Sequence, residues 1–201
     1  MLTLLHSPAS PFARKVRMAA MERQVPLHLE IVRVDPVVRN DHLAGINPLA
    51  KIPVLKTPDG PLHDSRAICR FIDRRGEGPS LYGSETADIW EIQVLESIAD
   101  GVMEAAVNLR YELVNRPAEM RWPEWIAAQR LRISAGLDHF SGRIAQLAAP
   151  HIGTIAVGAA LEYLDFRHPE QEWRAAFPAL SDWVNSFAEE EIMRATAYPA
   201  A

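Results

Sequence analysis

A proline at position 53 sits inside Lys51-Ile52-Pro53-Val54-Leu55-Lys56, a segment whose composition is otherwise that of a strand. Proline cannot donate to a sheet ladder, so the segment must be an edge strand or begin at a special bend. A cis Ile52–Pro53 bond reconciles the two requirements, because it turns the backbone of Ile52 outward instead of into the sheet. Thr57-Pro58-Asp59-Gly60 follows as a hairpin turn, and Pro61-Leu62-His63 as the short returning strand.

The chain leading up to this bend alternates strand and helix. Leu2-Thr3-Leu4-Leu5 reads as a first strand. Ser10 then suits a helix N-cap, with Pro11 at the first helical position, where a missing N–H costs nothing. Phe12, Val16, Ala19 and Ala20 give that helix an apolar face running to about Gln24. Leu29 to Val34 alternates as a second strand; Asp35 to Asp41 is polar and reads as loop or a short irregular helix. Beyond the hairpin, Asp64-Ser65 opens another helix, Arg66 to about Arg74, that buries Ile68, Cys69, Phe71 and Ile72. The order is a βαβ unit followed by ββα.

Arg14, Lys15 and Arg17 crowd the first turns of the first helix, where the macrodipole favours acids. A bound anion would relieve the conflict, since helix N-termini are natural anion sites. The alternative is a simple cap with solvated basic side chains.

Arg74 to Pro79 is a breaker cluster, after which the chain turns helical. The expected division is 1–76, a connector at 77–87, and 88–201. One long helix spans Asp88 to Asn115. A second starts at Pro123 and runs to about Leu147, a third from Ile152 to Leu164 is apolar almost all round and should be central, and a fourth follows Pro178.

Composition narrows the class. Hydrophobic content of 48% and charged content of 23% are those of an ordinary globular protein, and the formal charge of −5 argues against nucleic acid or an anionic membrane as main partner. No run reaches transmembrane length, and the first residues lack a signal pattern, so no membrane partner and a cytoplasmic location are expected. The single cysteine, Cys69, suits a reducing compartment and packs as a small hydrophobe. His6, His42 and His63 show no metal-ligand spacing, so no metal is expected.

Three stretches in order, SPFARKV, NPLAKIPVL and HDSRAI, resemble the glutathione transferase family. The resemblance covers nearly the whole chain and implies a thioredoxin-like α+β N-terminal domain followed by an all-α helical domain. It implies that Ile52, before a cis Pro53, pairs by backbone with the cysteinyl part of glutathione. Asp64 and Ser65 would bind the γ-glutamyl end, and Lys51 the glycyl side. Ser10 occupies the position of the first cysteine in the CxxC pair of thioredoxin relatives; with Ala13 at the second, thiol–disulfide chemistry by the protein is excluded. Ser10 is the candidate to stabilise the glutathione thiolate by hydrogen bonding, as in a serine-type bacterial subgroup, with Ser7 the alternative. No His–acid pair marks Ser10 as a nucleophile.

Asp100 would bond a glutathione amine across a homodimer interface, or else lie on a solvated helix face. Asn108, Arg110 and Tyr111 would line the pocket for a small hydrophobic electrophile. The central helix departs from the family's Ser/Thr-x-x-Asp capping box, reading His151-Ile152-Gly153-Thr154. The expected activity is conjugation of glutathione to an electrophile, in detoxification. The same scaffold would also suit a glutathione-dependent isomerase, dehalogenase or lyase, or a non-catalytic binding protein.

Overall fold

The structure, a computed structural model, describes residues 1–83 and 88–199. The expected connector therefore lies partly outside the described residues. The N-terminal part, through Arg75, is a four-stranded mixed sheet with helices; the described residues after it are helical, as expected.

The strands are β1 (Thr3–His6), β2 (His28–Ile31), β3 (Val54–Thr57) and β4 (Gly60–Leu62), in the order β2-β1-β3-β4. β1 runs parallel to β2 and antiparallel to β3, and β3 is antiparallel to β4. Successive residues of β1 face opposite ways. Leu4 enters the main core with Val16, Ala19, Leu55, Ile68, Cys69 and Ile72, whereas Leu5 joins a small cluster with Val32, Leu43 and Val54. The second strand is shorter than its alternation suggested, and at this edge Ile31 stays 70% exposed. The other edge tolerates Pro61. The Ile52–Pro53 bond is cis, and β3 begins just after it, so the proline precedes the ladder instead of interrupting it. The hairpin closes at Gly60 with φ +119°, a conformation that favours glycine.

Helix α1 (Pro11–Glu22) starts at its predicted cap, α2 (Asp41–Ala44) is one turn capped by Asn40, and α3 (Ser65–Arg75) is capped by Asp64. Arg23 ties the breaker cluster together by donating to the carbonyls of Asp73, Gly76, Glu77 and Pro79.

Then come α4 (Asp88–Arg110), α5 (Pro123–Ser141), α6 (Ile152–Arg167), α7 (Trp173–Ala176), α8 (Pro178–Phe187) and α9 (Glu191–Arg194). Two expected helices are shorter than predicted. α4 gives way to a wider π-helical turn at Tyr111–Asn115, and α5 stops at Gly142, with a 3₁₀ turn at Ile144–Leu147. α6 is central as expected, every residue from His151 to Leu161 being buried. A Cβ at Gly153 would come within 2.8 Å of the Leu95 Cβ, so glycine there lets α6 lie close on α4. Its cap is an imidazole: His151 Nδ1 accepts from the Thr154 amide at 3.1 Å, while Nε2 lies 2.9 Å from the Gln146 carbonyl. Those bonds require the neutral tautomer with its proton on Nε2. Thr154 turns its hydroxyl to the Ala149 carbonyl.

Candidate functional site

The sheet register gathers the predicted residues along one margin of the sheet, the site edge, where β1 ends and β3 begins. Leu5 pairs with Val54, and Leu55 with Leu62. One residue before Val54 lies Pro53, and two residues beyond Leu5 and Leu62 lie Ser7 and Asp64; both α1 and α3 start close by. A ligand at this edge would face two helix N-termini and the backbone of Ile52.

Ser10 Oγ accepts from the Ala13 amide at 3.2 Å, and the Ser10 carbonyl takes the Arg14 amide at 3.0 Å. A hydroxyl has two acceptor positions and one proton, so capping leaves the O–H free to donate. The Phe12 amide has no acceptor among the described residues. The opening of α1 thus offers a hydroxyl and one amide to an anion. Ser7 lies close by, its carbonyl accepting from the Ser10 amide at 3.0 Å.

Lys51 is exposed and Ile52 half-buried. Asn47, four residues ahead of Lys51, is buried and donates from Nδ2 to the Lys51 carbonyl at 2.8 Å, fixing the approach to the bend. The bond between His63 and Asp64 is also cis. Asp64 is exposed and accepts from the Arg66 amide at 3.0 Å, and Ser65 is buried at the first helical position.

The basic residues of α1 differ from both expectations. Arg14 and Lys15 are 1% and 0% exposed, so they are neither solvated nor open to an anion. Lys15 Nζ reaches Asp100 at 2.7 Å and Glu96 at 3.1 Å. Burial disfavours its charge, but the two carboxylates outweigh that and hold its pKa above the ordinary value. Arg14 pairs with Glu162, donates to the Met193 carbonyl at 3.2 Å and lies 4.5 Å from the centre of the Tyr198 ring. Arg17 donates to the Ala195 carbonyl. Asp100 is 6% exposed, which removes the solvated-face alternative. Its oxygens accept from Lys15 and, at 2.6 Å, from Arg66 of the same chain. Periodicity gave no sign of this network, because a hydropathy pattern sends every charge outward.

Asn108, Arg110 and Tyr111 stand at the end of α4, the first two half-buried and Tyr111 exposed. Burial pushes the Cys69 thiol pKa up, consistent with inert packing. Among the described residues no cluster of three His, Cys, Asp or Glu side chains is placed to hold a metal, and no helix is long and apolar enough to cross a membrane.

The chain matches the family descriptions "Glutathione S-transferase, N-terminal domain" over residues 4–80 and "Glutathione S-transferase, C-terminal domain" over residues 123–186. It is similar to a glutathione transferase family member from Pseudomonas fluorescens Pf-5 crystallised with bound glutathione, with a TM-score of 0.97 and 38% identity over 100% of both chains. A structure from the same organism, with bound S-(propanoic acid)-glutathione, superposes with a TM-score of 0.92 at 37% identity, covering 99% of this chain and 100% of that one. Among curated proteins, the uncharacterized GST-like protein YibF of Escherichia coli K12 is 29% identical over 96% of this chain and 97% of its own length.

Proposed function

The chain belongs to the glutathione S-transferase family, and from that premise we propose a reading of its site. The protein is a glutathione transferase: it binds the tripeptide and joins its sulfur to a small electrophile. Glutathione lies along the sheet edge, with its sulfur at the start of α1. Ser10 donates its free O–H to the thiolate, which makes the enzyme serine-type; Ser7 is the neighbouring alternative. Ile52, before Pro53, pairs by backbone with the cysteinyl part, Asp64 and Ser65 receive the γ-glutamyl end, and Lys51 the glycyl carboxylate. Asp100 contributes from within its own chain, by holding Arg66 beside Asp64 and Ser65.

The catalytic effect is electrostatic and positional. A hydroxyl, an amide and a helix N-terminus favour thiolate over thiol, so more of the bound glutathione is nucleophilic at neutral pH. The electrophile, seated above by Asn108, Arg110 and Tyr111, meets that sulfur within one site. The sulfur lone pair forms the new S–C bond, and the displaced pair leaves with the departing group or is protonated. The observation that carries this reading is Ser10 at the α1 N-terminus on the same sheet edge as Pro53 and Asp64.

The domains divide at 1–76, 77–87 and 88–201, and the protein works as a cytoplasmic homodimer. Supporting the dimer, α4 exposes Trp90 and Val94 at 72% and 48%. Calorimetric titration with glutathione tests the reading, with product identification on candidate electrophiles. Saturable binding at millimolar concentration and a thioether product are expected; no binding heat and no saturation would overturn it. A product of isomerisation, dehalogenation or ether cleavage would name another glutathione-dependent reaction.

A further inference from the structure

We propose that the electrophile carries a carboxylate, received by Arg110 and Arg167 at the top of the helical half. The proposal rests on the glutathione reading above and names the substrate class for that site.

The helices define the height of this place. α1 ends at Arg23, against the breaker cluster that leads toward α4, and Lys15 meets Glu96 and Asp100. α1 and α4 therefore run in opposite directions. α6 runs with α4: a Cβ on Gly153 would meet Leu95, and His168 Nε2 reaches the Ala106 carbonyl at 2.9 Å. Going from Lys15 back to Ser10 climbs about 7 Å, and from Asp100 to Arg110 about 15 Å. The C-terminal ends of α4 and α6 thus stand about two helical turns at most above Ser10, within reach of an arginine side chain and a short substituent on the sulfur.

Among the described residues the two cations there have no counter-charge: no carboxylate lies within ion-pair distance of Arg110 or Arg167, and the acids nearest in sequence are committed elsewhere. Glu162 pairs with Arg14, and Asp165 accepts from Arg174 and from Trp173 Nε1. Glu112 pairs with Arg116, and Glu170 faces His168. Asp35, the acid beside Tyr111, accepts from the Val37 and Val38 amides.

Arg167 lies over the Phe166 ring, 3.7 Å from its centre, and its Nε is enclosed without an acceptor. Burial, then Arg110, hold the Arg167 pKa below the usual value, the mark of two cations in close quarters. Beside them is Tyr163, a buried residue whose hydroxyl pKa is pushed up to about 12 by burial, against the pull of both arginines. It stays protonated, able to donate. Two guanidinium groups and a phenol form a donor set matched to a carboxylate.

The test is calorimetry with two conjugates of matched shape, S-carboxyethyl-glutathione and its amide, with S-methyl-glutathione as the reference. The acid should bind at least about tenfold more tightly than the amide. The preference should shrink as salt is raised, and Arg167→Met or Arg110→Met should bring acid and amide within about twofold. Equal affinities in the unaltered protein, a preference indifferent to salt, or one surviving both substitutions would overturn the proposal. Binding of S-methyl-glutathione without acid preference would sink the carboxylate site alone; failure of S-methyl-glutathione to bind would sink the glutathione reading as well.

Discussion

Ser10 serves structure and chemistry with different parts of one group: a lone pair holds the Ala13 amide, and the proton remains for a thiolate. Ser10→Ala removes both. Stability should fall by about 1 kcal/mol, measured by urea unfolding, for the lost cap. The conjugation rate, kcat/KM, should fall on the order of 10²-fold for the lost donor. Ser7→Ala should give the smaller loss in rate. His151 is a second residue whose chemistry is specific. Burial lowers its pKa from the ordinary value, and His6, His139 and His168 are shifted the same way, chiefly by burial. Their unfolded forms bind protons first, so their contribution is present above about pH 6.5 and lost as pH falls through that value toward the folded pKa values. The urea midpoint should therefore drop on acidification from pH 7 to 5. Loss of that slope across all four histidines would contradict the assignment. His151→Ala should cost about 1 kcal/mol at pH 7 and reduce the slope. The capping serine and the prolines were legible in the sequence because their constraints are local. The imidazole cap was not: histidine at that place departs from the expected box, and only the fold shows its ring nitrogen meeting the Thr154 amide.

Among the elements, α1 has the widest reach. Its N-terminus faces the site, and its basic side chains hold the helical half. Arg14 and Arg17 bond the carbonyls of Met193 and Ala195, which fastens the segment carrying α9 across α1. Arg14→Met should loosen that segment by about 1.5–3 kcal/mol, read as amide exchange about tenfold or more faster at residues 191–196. Unaltered exchange there would show that apolar packing alone holds it. Strand and helix order was readable because hydrophobic period and turn residues are short-range signals. The ends of α4 and α5 were not, since apolar residues continue past both. The chain leaves the α-helix where the π-helical turn and Gly142 intervene, which periodicity does not register.

For the whole molecule, the joint between the halves is a buried ion-pair cluster. Lys15 on α1 meets Glu96 and Asp100 on α4, and Asp100 also takes Arg66 on α3. Lys15→Met should destabilise the protein by about 3–5 kcal/mol, because it strands buried carboxylates. A loss under about 1 kcal/mol would mean that the cluster relaxes into water. Pairings between residues 81 and 85 apart leave no trace in local composition, which is why Lys15 read as a surface charge or an anion ligand. The candidate site was more legible. Its residues fall at the turn from strand to helix and at the bend before a strand, and β-sheet register brings those points to one edge. The central claim is that this edge holds a glutathione sulfur as its anion. The decisive measurement is the thiol pKa of bound glutathione, followed by thiolate ultraviolet absorbance across a pH titration. A pKa below that of free glutathione, raised toward the free value in Ser10→Ala, is expected; a bound thiol that titrates like the free one, or ignores the substitution, would contradict the account.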